Sequence, residues 1–186
     1  MKISAQEQDQ LLALARDSIT YGLEHGRAIN PVISQYDDNL QQMAACFVTL
    51  TMAHDLRGCI GHLSAIQPLF EDVAENAFSA AFRDPRFPEL REDEINRIEI
   101  EISILTPSTP MEFTDEDDLL KQIQEGIDGL ILEDGYNRGT FLPTVWESLP
   151  DKQDFWKHLK MKAGLPVSHW SDTLKVSRYH TISFSE

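Results

Sequence analysis

The spacing of apolar and polar residues divides the chain into short elements. Cys46, Val48, Leu50 and Met52 alternate with Phe47, Thr49 and Thr51, the two-residue period of a half-buried strand. Ile98, Ile100, Ile102 and Ile104 alternate with Glu99, Glu101 and Ser103 over 97–105, a second and clearer strand that Pro107 and Pro110 end. Leu11, Ala15, Ile19 and Leu23 recur at helical spacing behind Ser4 and Glu7, the two halves of a capping box, and Gly26 marks a stop. Asn30-Pro31 through Asn39 reads as loop. Pro68 suits the first turn of another helix, whose stripe is Phe70, Val73 or Ala74, Ala77 or Phe78, and Ala81. Its small alanines suit close packing on a sheet. That helix must stop before Asp84-Pro85, because the residue ahead of a proline avoids the helical region.

Further on, Thr114 with Asp117 predicts the cap of a short helix through Leu119, Leu120 and Ile123. Asp128-Gly129 turns into Leu130–Leu132, and Asp134-Gly135 is a hairpin signal ahead of 138–142. Asp151 caps a helix carrying Phe155, Trp156 and Leu159; Lys160 and Lys162 suit its C-terminal end, and Gly164 with Pro166 stops it. Residues 174–184 form a closing strand. Hairpins without a regular βαβ order give an α+β class, with mainly antiparallel sheet flanked by helices.

Between the first strand and the Pro68 helix lies the stretch Leu56-Arg57-Gly58-Cys59-Ile60-Gly61-His62-Leu63. With a turn at His54-Asp55 it becomes the return strand of a hairpin. Strand alternation puts Arg57, Cys59 and Gly61 on one face, with the guanidinium about 6–7 Å from the thiol, where it would favour the thiolate. Gly61 would leave open space beside the sulfur, and glycine in a strand often marks a bulge or the close approach of a ligand or another backbone. A two-residue turn at His54-Asp55 sets Cys59 opposite Leu50; a slip of one residue sets it opposite a threonine and exchanges core for open face. The pattern leaves both registers open. In either, Cys46 and Cys59 are not opposed, which argues against a disulfide.

Composition narrows the class. The 186 residues suffice for one domain or two intimate subdomains, and 41% hydrophobic with 25% charged residues is ordinary for a soluble protein. A net charge of −15 offers no footprint for nucleic acid and disfavours an anionic membrane surface. No apolar run of membrane-spanning length and no signal-peptide pattern is present. Two cysteines are too few for a disulfide framework or a thiolate zinc site, so a reducing, cytoplasmic setting is expected. No phosphate-binding or dinucleotide fingerprint and no metal-ligand spacing occurs, so no cofactor is expected.

A nucleophilic cysteine needs a base or a depressed pKa. His62 is near in sequence but points to the opposite face of a regular strand. His180 is the more suitable remote candidate. Glu99 and Glu101 share a strand face and read first as its solvated side. Asp84 and Arg86, held between prolines, read as a ligand-binding or partner-binding pair, or as a loop-stabilising one. Arg138 beside Gly139 reads as an anion position or a hairpin charge.

The quoted motifs resemble one family in several ordered blocks. Arg57-Gly58-Cys59-Ile60-Gly61, the block from Ala77 to Leu90, the strand Ile98 to Pro107, and the blocks Gly129–Trp146 and 162–165 are together similar to the AMMECR-type domain family, called AmmeMemoRadiSam system protein A in bacteria and archaea. The likeness is strongest over 41–186, the whole 1–186 chain then being a single domain of this type. It implies an α+β, AMMECR-like fold with two unequal subdomains around a cleft, and association with a Memo-like protein and a radical SAM enzyme. It implies no reaction. Two readings follow. One is an accessory or binding subunit whose Cys59 strand, with Gly58, Gly61, Asp84, Arg86, Glu101 and Arg138 as cleft candidates, engages a partner or an unknown small molecule. The other is a small cysteine enzyme using Cys59 and Arg57, with His180 as a remote base. The first is preferred because no convincing base accompanies the thiol.

Overall fold

The computed structural model describes residues 2–186, which divide into two compact units. The first runs through Leu105 and is completed by Ile182–Glu186; the second is Thr106–Thr181. The fold is α+β with two antiparallel four-stranded sheets.

In the first unit the strands β1 (Ala45–Met52), β2 (Asp55–Gly61), β3 (Ile98–Leu105) and β8 (Thr181–Ser185) take the order β2-β1-β3-β8. The helices are α1 (Ala5–His25) and α2 (Leu69–Phe82). The Ser4–Glu7 capping box forms in full, and Gly26 ends α1 in the left-handed conformation at φ 67°. Helix α2 ends at Phe82, as Asp84-Pro85 requires, although Pro68 sits at its N-cap and not inside the first turn. Cys46, Val48 and Leu50 of β1 and the four isoleucines of β3 meet Phe70, Val73 and Ala77 of α2 and Leu11, Ala15 and Ile19 of α1 in one core.

The second unit has strands β4 (Thr109–Pro110), β5 (Gly129–Asp134), β6 (Asn137–Phe141) and β7 (Lys175–Tyr179), in the order β4-β7-β5-β6, with α3 (Glu116–Gln122) and α4 (Lys152–Lys162). Its own core gathers Leu130, Leu132, Trp146, Phe155, Trp156 and Val176. Two expectations are corrected here. The cap of α3 is Asp115, whose carboxylate accepts the Asp118 amide, and not Thr114 with Asp117. The closing segment is not one strand: it changes sheets at His180, β7 belonging to the second unit and β8 to the first.

Candidate active site around Cys59

The β1–β2 hairpin turns one residue earlier than expected. Met52 pairs with Asp55, and the loop is Ala53-His54, with φ of 53° and 70°. Two consecutive left-handed residues make the I′-like turn that fits the twist of a hairpin, here without the usual glycine. The register then slips: Thr51 pairs with Leu56 but Leu50 pairs with Gly58, so Arg57 is the extra residue of a β-bulge. Beyond the bulge Cys59 lies opposite Thr49, and Thr49 lies opposite Glu101 on β3. Cys59 is therefore on the face away from the Cys46–Val48–Leu50 core, half-buried, and its sulfur accepts a hydrogen bond from Thr49 Oγ1 at 3.3 Å.

The bulge overturns the expected pairing of Arg57 with the thiol. Arg57 is buried and donates through Nε and Nη2 to Glu94, each at 3.0 Å, through Nη1 to the Pro88 carbonyl at 2.9 Å, and through Nη2 to the Glu89 carbonyl at 3.3 Å. An extra residue breaks strand alternation, so Arg57 and Cys59 need not share a face. The Arg57 fork holds the Glu94 carboxyl at a pKa of about 2. Nothing in the sequence singles Glu94 out from Glu89, Glu92 and Asp93 beside it.

The guanidinium that does stand near Cys59 belongs to Arg86. Strand β2 is an edge strand, and the Asp84–Arg86 pair covers that edge. Asp84 Oδ2 accepts the Cys59 amide at 2.9 Å, and Arg86 Nη2 donates to the Cys59 carbonyl at 3.1 Å. The two side chains are bridged by Arg86 Nε to Oδ1 at 2.9 Å and Nη2 to Oδ2 at 2.7 Å. These bonds, Arg86 foremost, hold the Asp84 carboxyl far below the usual carboxylate range. Arg86 is kept charged chiefly by Asp84, with the Cys59 thiol a lesser contributor. The pair thus ties its own loop to the Cys59 peptide.

The glycines are required by neighbours. A Cβ on Gly58 would lie 2.1 Å from the Ala80 carbonyl oxygen of α2, so β2 and α2 approach closely only because it is absent. A Cβ on Gly61 would lie 2.4 Å from Phe47 Cγ and from the Cys46 carbonyl oxygen. The space beside Gly61 is thus occupied, and the expected opening beside the sulfur is not there.

The other candidates have partners of their own. His62 turns to the helix side, where its Nδ1 meets Asp72 Oδ1 at 2.6 Å. Asp72 is wholly buried and also accepts from the Cys46 amide at 2.9 Å, Asn76 at 2.9 Å and Gln67 at 3.1 Å. This network was not foreseen; a carboxylate and an amide four residues apart beside the apolar stripe of the helix, Asp72 and Asn76, were its trace. Cys46 is buried beside it, and burial pushes its thiol pKa well up. Both cysteines are free. Glu101 Oε1 accepts from Ser103 at 3.3 Å. In the second unit His180 Nε2 meets the buried Asp128 carboxylate at 3.1 Å, and exposed Arg138 pairs with Glu133 across the hairpin at 3.3 Å, a hairpin charge. Among the described residues no group of three His, Cys, Asp or Glu side chains is placed to hold a metal ion, and no helix is long and apolar enough to cross a membrane.

Comparison with known proteins covers nearly the full length. A protein of Methanothermobacter thermautotrophicus is 36% identical, over 99% of this chain and 96% of its own. One of Saccharolobus solfataricus is 38% identical, over 95% of this chain and 80% of its own. The crystal structure of an uncharacterized protein from Pyrococcus horikoshii matches with a TM-score of 0.89 at 34% identity, over 100% of this chain and 94% of that one. The AMMECR1 profile matches residues 12–184, and the chain belongs to the AMMECR1 family.

Proposed function

We propose that the chain is an accessory, binding subunit of the AmmeMemoRadiSam type. In this reading the Cys59 strand meets a partner protein, a Memo-like protein being the first to test and a radical SAM enzyme the second, in a cytoplasmic setting. The observation that carries the reading is how the charged groups around Cys59 are used. Arg57 is spent on Glu94, Asp84 and Arg86 on each other and on the Cys59 peptide, and His62 on Asp72. The thiol keeps a threonine hydroxyl as its partner. A cysteine nucleophile works with a base in reach; this one is presented on a rigidly anchored strand edge, which suits recognition. A small cysteine enzyme is the second reading, favoured by the Arg86 guanidinium beside Cys59 in place of Arg57.

Co-purification tests it. The chain and the Memo-like protein encoded in the same organism should elute as one complex, and Cys59→Ala should weaken that complex while leaving the fold intact by circular dichroism. Absence of a complex with either partner, or an unchanged complex in Cys59→Ala, removes the proposal. Thiol labelling is the companion measurement: iodoacetamide should modify Cys59 and spare Cys46, which is fully buried.

A further inference from the structure

The second unit carries a cavity of about 360 Å³ between the loops 111–114 and 170–174. Its base is apolar and buried, made by Met111 and Leu174. Its walls are the half-buried rings of Phe113 and Trp170, with centroids 5.6 Å apart and planes at 60°. Glu112 and Asp172 stand exposed at its rim. No lysine or arginine lines it.

Both walls are anchored by polar bonds. The Asp134 carboxylate takes His169 Nε2 at 2.6 Å, Ser171 Oγ at 2.8 Å and Thr173 Oγ1 at 2.6 Å, and so fixes the chain on each side of Trp170. Gln122 Nε2 donates to the Glu112 carbonyl at 2.8 Å, and the Thr114 amide donates to Asp118 at 3.1 Å, fixing the chain on each side of Phe113. The two rings pack on each other, so the open volume lies beside the pair, against loops that are already ordered, which lowers the cost of filling it. The other carboxylates that organise this unit are paired: Glu116 with Lys160, Asp128 with Arg178 and His180, Asp134 with His169. Among the described residues Glu112 and Asp172 have no ion-pair partner.

We propose that this cavity binds an organic cation, an alkylammonium or alkylguanidinium group. Ring faces attract a cation through their quadrupoles, the two carboxylates add charge, and the Met111–Leu174 base suits the alkyl stem. A bare metal ion would make no use of the apolar base. The same chemistry is offered by a lysine or arginine side chain of a partner protein and by a free diamine or guanidine.

The tryptophans supply the reporter. Trp146 and Trp156 are buried, with indole N–H groups bonded to the Asp128 carbonyl and to Glu116, whereas Trp170 is half-exposed in the cavity wall. The full chain is titrated with agmatine, with an end-blocked lysine peptide, and with the same peptide acetylated at Nζ. In nitrogen-correlated spectra the Trp170 indole peak should shift with the cations while those of Trp146 and Trp156 stay. Glu112→Gln and Asp172→Asn, both at exposed positions, should each weaken binding up to about fivefold, and added salt should do the same. A shift with agmatine alone assigns a free amine; a shift with the peptide as well assigns a partner side chain. An equal shift with the acetylated peptide, no Trp170 shift with any cation at millimolar concentration, or a shift indifferent to both carboxylate substitutions overturns the site.

Discussion

The two hairpins, β1–β2 and β5–β6, are built alike and used differently. Each lies at the edge of a four-stranded antiparallel sheet, and each is closed by a two-residue turn carrying one arginine just beyond it. In β5–β6 the strands stay in register: Glu133 opposes Arg138, and the two exposed side chains pair with each other. In β1–β2 the bulge at Arg57 breaks register, and the guanidinium leaves the hairpin for Glu94 and the carbonyls of 88–89. The first arginine decorates its own hairpin. The second, with Asp84 and Arg86, fastens a separate loop to the strand edge. A buried, four-bonded arginine and an exposed, locally paired one are thus the same residue type with opposite importance.

The largest expected effect separates these two. Arg57→Ala leaves the buried Glu94 carboxylate with only the exposed Arg91 at 3.9 Å, and should cost about 3–5 kcal/mol. Arg138→Ala removes an exposed pair and should cost no more than about 0.5 kcal/mol. Urea denaturation of both variants reads the difference directly. Equal midpoints would mean that the Arg57 network does not stabilise the fold.

Acid should sharpen the same contrast. Glu94 is held at about 2 in the folded chain, chiefly by Arg57, against about 4.3 when unfolded. Its folded pKa is the lower one, so its stabilising contribution is complete above about pH 5 and is lost as pH falls toward 2. Asp84, lowered chiefly by Arg86, acts in the same direction. In Arg57→Ala the part owed to Glu94 should disappear, leaving a flatter stability curve between pH 4 and pH 2 than the wild type has. A parallel curve in the variant would assign the acid sensitivity elsewhere.

How much of this was legible follows from the kind of signal each feature leaves. The strands β1 and β3 and the ends of α1 and α2 stood in the sequence because periodicity, capping residues and proline act locally. The position of Cys59 did not. It depends on a turn set at Ala53-His54, which lacks the glycine such a turn prefers, and on a bulge one position before Gly58. Together these two slips reach one of the registers that the pattern left open, but they move Arg57 away from the thiol. Asp84 and Arg86 were recognisable as a rigid charged pair between prolines; that their target is the Cys59 peptide is a long-range fact. Glu94 had no local mark. The change of sheet at His180 was hidden for a related reason, since β7 and β8 follow one another with a single residue between them.

The smallest expected effects lie in the turns themselves, where the hairpins differ again. In β5–β6 the loop is Gly135-Tyr136, with Gly135 at φ 60°, the residue type that a turn with one left-handed position prefers. In β1–β2 both loop residues, Ala53 and His54, are left-handed and neither is glycine. A non-glycine residue in that region costs roughly 1–2 kcal/mol, and part of this returns when glycine is placed there, because glycine loses more chain entropy on folding. Ala53→Gly should therefore stabilise the chain by less than about 1 kcal/mol. Gly135→Ala should destabilise it by about 1 kcal/mol. Thermal melts of the two variants against the wild type give opposite signs if both turns are strained by the same backbone term. A loss of stability in Ala53→Gly would mean that the entropy cost outweighs the strain there, and that the first hairpin is closed by its flanking pairs, Met52 with Asp55 and Thr51 with Leu56, and not by relief at the turn.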